Sequence, residues 1–142
     1  MTRAVAVLLL LAACAGPTVT DSAMVSQAER SAGSMVSEVR TARLAAQTQL
    51  DGHAWWRYTD VVVTDAETTA GTIEDTLGSR QPPLTTVEPT YRKTVEQLSD
   101  AADLVTDLRI AVRRHDEAAI RDLLPRLDAA ADRLERLEES LR

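Results

Sequence analysis

Residues 120–141, IRDLLPRLDAAADRLERLEESL, carry the most regular pattern in the chain. Their apolar positions recur at alternating three- and four-residue steps: Ile120, Leu123, Leu127, Ala130, Leu134, Leu137 and Leu141. That spacing predicts a helix with one buried stripe, as regular as the seam of a coiled coil. Asp116 is the predicted N-cap of this helix. Pro125 removes one backbone hydrogen bond inside it, so we expect a kink there and not a break.

A second helix is predicted over residues 22–50. Its apolar stripe comprises Val25, Ala28, Ala32, Met35, Val39, Ala42 and Ala46, with Leu44 on the opposite side. Asp21 or Ser22 is the predicted N-cap. Asp51 and Gly52 predict its end, because glycine readily adopts the positive φ that often follows a helix.

A third helix is predicted over residues 54–77, where the aromatic residues are concentrated. The period predicts that Trp55 and Tyr58 point inward, and it leaves Trp56 without a place in the stripe. The inward set continues through Val62, Ala66, Thr69, Ile73 and Leu77. The run of residues 61–64 is β-prone, but nothing nearby could pair with a lone strand. We therefore predict a helix.

The remaining helix is predicted to start near Thr86, with Pro89 in its first turn, where a missing N–H costs little. Its apolar residues occupy two flanks, so we expect it to contact two neighbours. Helical stretches of this length with short connections predict an all-α, up-down-up-down four-helix bundle. The alternative is an elongated three-helix arrangement on which the first helix is loosely docked.

The first 13 residues have the features of an export signal. Arg3 supplies a positive charge, and the apolar run Ala4–Ala13 follows it. As a helix this run would be about 15 Å long, half the thickness of a bilayer core, so we do not predict a transmembrane span. The run leads into Cys14, the only cysteine in the chain, so no disulfide can form within one molecule.

The sequence Leu11-Ala12-Ala13-Cys14 resembles the bacterial lipobox, at which lipoprotein signal peptidase cleaves before a diacylglyceryl-modified cysteine. This resemblance implies a cleaved signal peptide over residues 1–13, lipidation of Cys14, and a lipid-anchored tether over residues 14–21. A single bundle domain over residues 22–142 would then lie at the extracytoplasmic face of the cell membrane. The chain also resembles small helical lipoproteins of actinobacteria, a likeness that implies no particular activity.

Two other interpretations of the leader stay open. Ala13-Cys14-Ala15 also fits the small-x-small site of ordinary signal peptidase, which would release an unanchored protein. Alternatively, Cys14 is only one more apolar residue of the leader.

The sequence offers no recognisable catalytic set, metal site or cofactor-binding motif. Neither His53 nor His115 has a carboxylate at the Glu-x-x-His spacing of di-iron bundles. Nucleophilic-serine motifs and glycine-rich phosphate loops are missing. The chain carries 16 basic and 22 acidic residues, a net charge of −6, which disfavours nucleic acid as a partner. We therefore predict a protein that is not an enzyme and needs no cofactor.

Two charged or aromatic groups stand out. Glu96, Asp100, Asp103 and Asp107 follow each other at helical spacing, and we interpret them as a solvated face. The second group would gather at one end of an up-down bundle as a candidate partner contact, because tryptophan and arginine dominate binding hot spots. It comprises His53, Trp56, Arg57, Arg113, Arg114 and His115. The alternative role for this group is a structural end cap.

Two functions follow from this pattern. The first is a non-catalytic, membrane-tethered helical module that binds an envelope protein or a cell-wall component. The second is a carrier that holds a lipid or another small apolar ligand between splayed helices. The regular leucine spacing favours close packing and therefore the first function.

Overall fold

The computed structural model describes residues 20–80 and 87–142, and within them every regular element is an α-helix. The predicted signal peptide and Cys14 lie outside the described residues, as does most of the connection that follows Gly78. The helices are α1 (Asp21–Leu50), α2 (Trp56–Gly78), α3 (Glu88–Arg113) and α4 (Glu117–Leu141).

Helix α4 matches its prediction closely. Six of the seven stripe residues are buried, and the last, Leu141, packs partly buried against the core. The Asp116 carboxylate accepts a hydrogen bond of 3.0 Å from the backbone N–H of Ala119, which confirms the predicted N-cap. The helix continues through Pro125, so the expected absence of a break is confirmed.

Helix α1 begins one residue earlier than predicted. Its N-cap is Thr20, not Asp21 or Ser22, and the Thr20 hydroxyl accepts a hydrogen bond of 3.3 Å from Ala23 N–H. Of the predicted tether of residues 14–21, residues 14–19 lie outside the described residues, and Asp21 is the first residue of α1. At the other end Gly52 adopts the predicted positive φ of 76°.

The prediction for α2 is right about the helix and about part of its buried stripe: Ala66 and Leu77 are buried, and Val62 and Ile73 pack partly buried against the core. It is wrong at Trp55, Tyr58 and Thr69, which are exposed. The β-prone run is helical, but Trp55 and Tyr58 are exposed, and Thr59 and Val63 are buried in their place. Trp56, which the period left without a place, packs partly buried against the core. Trp55 is the N-cap residue and has extended backbone before the first helical turn, so the helical period does not determine where its side chain points.

The four helices pack as a bundle, and one of its two pairs of opposite helices is also in contact. Helices α1 and α3 each contact all three other helices, whereas α2 and α4 do not contact each other. Helix α3 therefore has one more neighbour than predicted. Its start is also two residues later than expected, with Pro89 in the first turn.

The side chain of Tyr91 on α3 hydrogen-bonds to backbone carbonyls at the end of α2. Its side chain is buried, and the hydroxyl lies 2.7 Å from the carbonyl oxygen of Leu77 and 2.6 Å from that of Arg80. The last carbonyls of a helix have no partner within the helix. The Leu77 carbonyl also accepts a hydrogen bond of 3.0 Å from the Arg80 backbone N–H, so the Tyr91 hydroxyl adds a second, side-chain donor at this end of α2.

We expect Tyr91→Phe to lower the free energy of unfolding by about 1 kcal/mol, because one buried hydrogen bond is lost while the Leu77 carbonyl keeps its backbone donor. Chemical denaturation measures this loss. Tyr58→Phe is the matched control: its ring is exposed, so we expect a change within about 0.5 kcal/mol. Equal losses for the two variants would contradict the role given to Tyr91.

The same variant should change the alkaline stability. Burial raises the pKa of the Tyr91 phenol, although the nearby Arg80 charge opposes this effect. The neutral phenol therefore stabilises the folded chain below its ordinary pKa of about 10, and this contribution is lost as the pH rises through the raised pKa. We expect wild type to lose more stability than Tyr91→Phe above pH 10.

Candidate functional site

The α1–α2 turn and the α3–α4 turn meet at one end of the bundle. Trp56, the first residue of α2, stacks on His115 with ring centroids 4.4 Å apart and an interplanar angle of 20°. His115 has a positive φ of 53°, a backbone conformation that non-glycine residues adopt rarely. The stack therefore joins two chain segments that are about 60 residues apart in sequence.

The arginines of the predicted cluster have different environments. Arg113 forms an ion pair of 3.1 Å with Asp60, which ties the end of α3 to α2 beside the stack. Arg57 and Arg114 are exposed. Arg114 lines a groove between α3 and α4 together with Asp116 and Asp122. The structure thus brings together Trp56, His115 and Arg113, and it places Arg114 on the α3–α4 side.

His53 lies with the two exposed aromatic residues. It shares a shallow groove of about 350 Å³ with Thr48, Ala54, Trp55 and Tyr58, and we call these five residues the aromatic edge. Trp55 is 86% exposed and Tyr58 is 62% exposed. Trp55 is the N-cap of α2, with extended backbone, so its side chain leaves the bundle before the helical period begins. The aromatic surface at this end is therefore formed by Trp55 and Tyr58, while Trp56 is largely engaged in packing.

The acidic row of α3 is exposed at all four positions, as expected of a solvated face. Three of its members, Asp100, Asp103 and Asp107, line one wall of a groove of about 540 Å³. Arg126 and Arg133 of α4 line the other wall. Sequence reasoning missed these two arginines. The available signal was their seven-residue separation, which equals that of Asp100 and Asp107.

Among residues 20–80 and 87–142, no group of three or more histidine, cysteine or acidic side chains is placed to hold a metal ion. Within the same ranges no helix is both long and apolar enough to cross a bilayer.

Comparison with known proteins provides no relative. No protein-family model matches the chain, and no curated protein or solved structure is significantly similar to it.

Proposed function

We propose that this chain is a lipid-anchored lipoprotein of the extracytoplasmic face of the cell membrane. In this proposal its bundle is a non-catalytic module that binds an envelope protein or a cell-wall component. The observation that carries the proposal is the outward placement of Trp55 and Tyr58 at one end of the bundle. Large rings of this kind dominate binding hot spots, because they bury a large area on contact.

The cross-helix ion pairs support an up-down-up-down course for the four helices. Between α2 and α3, Arg113 pairs with Asp60 and Arg109 with Glu67. Residue numbers therefore rise along one helix as they fall along the other. Between α1 and α4 the same holds, because Arg40 pairs with Glu135 at 2.7 Å and Arg43 with Asp128 at 3.0 Å.

This course would hold the aromatic edge far from the anchor. Helix α1 has 30 residues, which correspond to about 45 Å at 1.5 Å per residue. A lipid on Cys14 would hold the start of α1 near the bilayer and the aromatic edge about 45 Å away from it. At that distance Trp55 and Tyr58 could not act as a membrane-interface belt, so their use would be contact with another envelope component.

The core favours a binding module over a carrier. Leu98, Leu108 and Leu127 are fully inaccessible to solvent, and buried side chains from all four helices form one continuous core. A carrier needs an enclosed apolar space in which most of its ligand's surface is buried. Side chains that already fill the interior would have to separate to provide it.

The experiment is in-cell crosslinking of the tagged full chain, followed by mass spectrometry of the attached proteins or wall fragments. We expect Trp55→Ala combined with Tyr58→Ala to lower the yield of crosslinked partner at least fivefold, about 1 kcal/mol of binding. Both side chains are exposed, so the thermal midpoint should stay within about 4 °C of wild type.

Leu44→Ala combined with Val61→Ala is the matched control. Leu44 lies on α1 and Val61 on α2, both side chains are apolar and exposed, and neither belongs to the aromatic edge. An unchanged partner yield in the Trp55/Tyr58 variant, or an equal loss in the control, would contradict the proposal. Stoichiometric non-covalent lipid in an organic extract of the purified protein would instead favour the carrier.

A further inference from the structure

Helices α3 and α4 present two charged rows of opposite sign on either side of their groove. Asp100, Asp103 and Asp107 form what we call the acidic ridge of α3. Arg126 and Arg133, with the small Ala129 between them, form the arginine ridge of α4. The positions on each ridge are separated by three and then four residues, so each ridge follows one face of its helix for about 10 Å.

Within residues 20–80 and 87–142 these charges have no ion-pair partner, although they lie near each other. In the part of the chain that the structure describes, ion pairs join α1 to α4 and α2 to α3. None of the five residues of the two ridges takes part in such a pair within those described ranges. The groove keeps the ridges apart, so both remain available to charges on another molecule.

The opposite charges lie at matching heights along the bundle. Asp107 and Arg126 together line both grooves between α3 and α4, while Asp100 and Arg133 line only the larger one. From Asp107 toward the α3–α4 turn, the signs of the charges on the two sides are exchanged. The positive charge there is Arg114, which follows α3, and the negative charge is Asp122 on α4. At the heights of Asp100, Asp107 and Arg114, this face therefore carries an acid on one helix and an arginine on the other.

We propose that this face binds a second copy of the chain, in a dimer whose twofold axis is parallel to the helices. Such an axis places α3 of one copy against α4 of the other without changing the height of any residue. Asp107 then faces Arg126 of the second copy, Asp100 faces Arg133, and Arg114 faces Asp122. Every contact occurs twice, as a twofold interface requires.

The charge pattern disfavours the other face-to-face arrangement when its axis passes at the height of the ridges. A twofold axis perpendicular to the helices would place α3 against α3 and α4 against α4. The acidic ridges would then oppose each other, as would the arginine ridges, and like charges across an interface are costly. The parallel arrangement pairs opposite charges at the heights of Asp100, Asp107 and Arg114, and it keeps the start of α1 at the same end in both copies. Two chains anchored in one membrane could therefore form it.

The available area suits a dimer of ordinary size. Two packed helices of about 25 residues present a face of about 38 by 20 Å, or about 750 Å² per copy. Exposed charge pairs contribute little each, so we expect a weak association that high salt reverses. The aromatic edge lies between α1 and α2 and would stay free in the dimer.

The test is a charge exchange in the full chain, expressed in the same cells with two different tags. The α3-reversed variant carries Asp100→Arg and Asp107→Arg, so its α3 ridge has a net positive charge although Asp103 remains, and its α4 ridge is unchanged and basic. The α4-reversed variant carries Arg126→Asp and Arg133→Asp, so both of its ridges are acidic. Co-precipitation of one tag with the other in mild detergent, at 50 and 500 mM NaCl, measures association.

We expect wild type to co-precipitate with wild type at low salt. Each reversed variant should co-precipitate with itself at least tenfold less, while the two reversed variants together should recover the wild-type yield, because every facing pair is again opposite in sign. Asp65→Arg with Asp75→Arg is the matched control, since it makes the same change in charge at exposed positions of α2. It should behave like wild type.

Either of two results overturns the proposal. One is self-association of the reversed variants at the wild-type level, as co-residence in one micelle would produce. The other is failure of the mixed pair to recover, which would assign the ridges to a different partner. All substituted side chains are exposed, and circular dichroism verifies that each variant is folded.

Discussion

Replacing Leu127 or Leu134 by alanine should lower the free energy of unfolding by about 2–5 kcal/mol, the largest effect on stability that we expect from one side chain. Leu127 is fully buried and Leu134 is 1% exposed, and both belong to the continuous core. Removing three carbon atoms from such a site loses their transfer free energy and leaves a cavity that a close-packed interior cannot fully collapse. A small domain is stable by only about 5–15 kcal/mol, so each variant would lose a large part of its margin.

Chemical denaturation followed by circular dichroism measures this loss, provided that the transition is two-state. Leu44→Ala is the matched control, because it makes the same chemical change at an exposed position of α1. We expect that control to stay within about 0.5 kcal/mol of wild type. Losses that small at both Leu127 and Leu134 would mean that the α4 stripe does not stabilise the bundle.

Replacing Cys14 by alanine should move the protein from the membrane fraction to the soluble fraction and abolish labelling with radioactive palmitate. The attached lipid is what would hold the protein at the membrane. Each buried CH₂ of a lipid chain contributes about 0.8 kcal/mol to membrane binding, and two or more chains give stable anchoring. Without the thiol no chain can be attached.

Cell fractionation and palmitate labelling of the full chain test this prediction. Thr18→Ala is the control, because it changes the predicted tether and leaves Leu11-Ala12-Ala13-Cys14 intact. If wild type is itself unlabelled and found outside the membrane fraction, Ala13-Cys14-Ala15 is an ordinary cleavage site. If wild type is membrane-bound but labels no more than the alanine variant, the anchor is not a lipid on Cys14.

Local sequence patterns predicted most of the helical architecture. Leucines at alternating three- and four-residue steps can share a face only in a helix, and α4 follows them to its last turn. Asp116 and Gly52 were predictable for equally local reasons. A carboxylate just before a helix can accept a hydrogen bond from a free N–H, and glycine has no side chain to oppose a positive φ.

Helix α2 shows where local pattern stops being sufficient. The predicted stripe and the observed one share Ala66 and Leu77, but the predicted one begins with Trp55 and Tyr58 and the observed one with Thr59 and Val63. Hydrophobicity favours the first, because aromatic rings gain more from burial. The structure buries the second, because Trp55 precedes the helix in extended backbone and the helical period does not determine where its side chain points.

For the candidate surfaces, too, some features follow from a single helix and others from the packing of two helices. The acidic residues of α3 were recognisable from sequence, because exposure of a charged row at helical spacing follows from its own helix. Their relation to Arg126 and Arg133 depends on the relative height of two helices, which no pattern within either helix contains. The sequence thus specified which residues form helices and which faces carry charge. Packing between helices selected which aromatic rings reach solvent and which charges face each other, because those outcomes depend on volumes and distances shared by two chain segments.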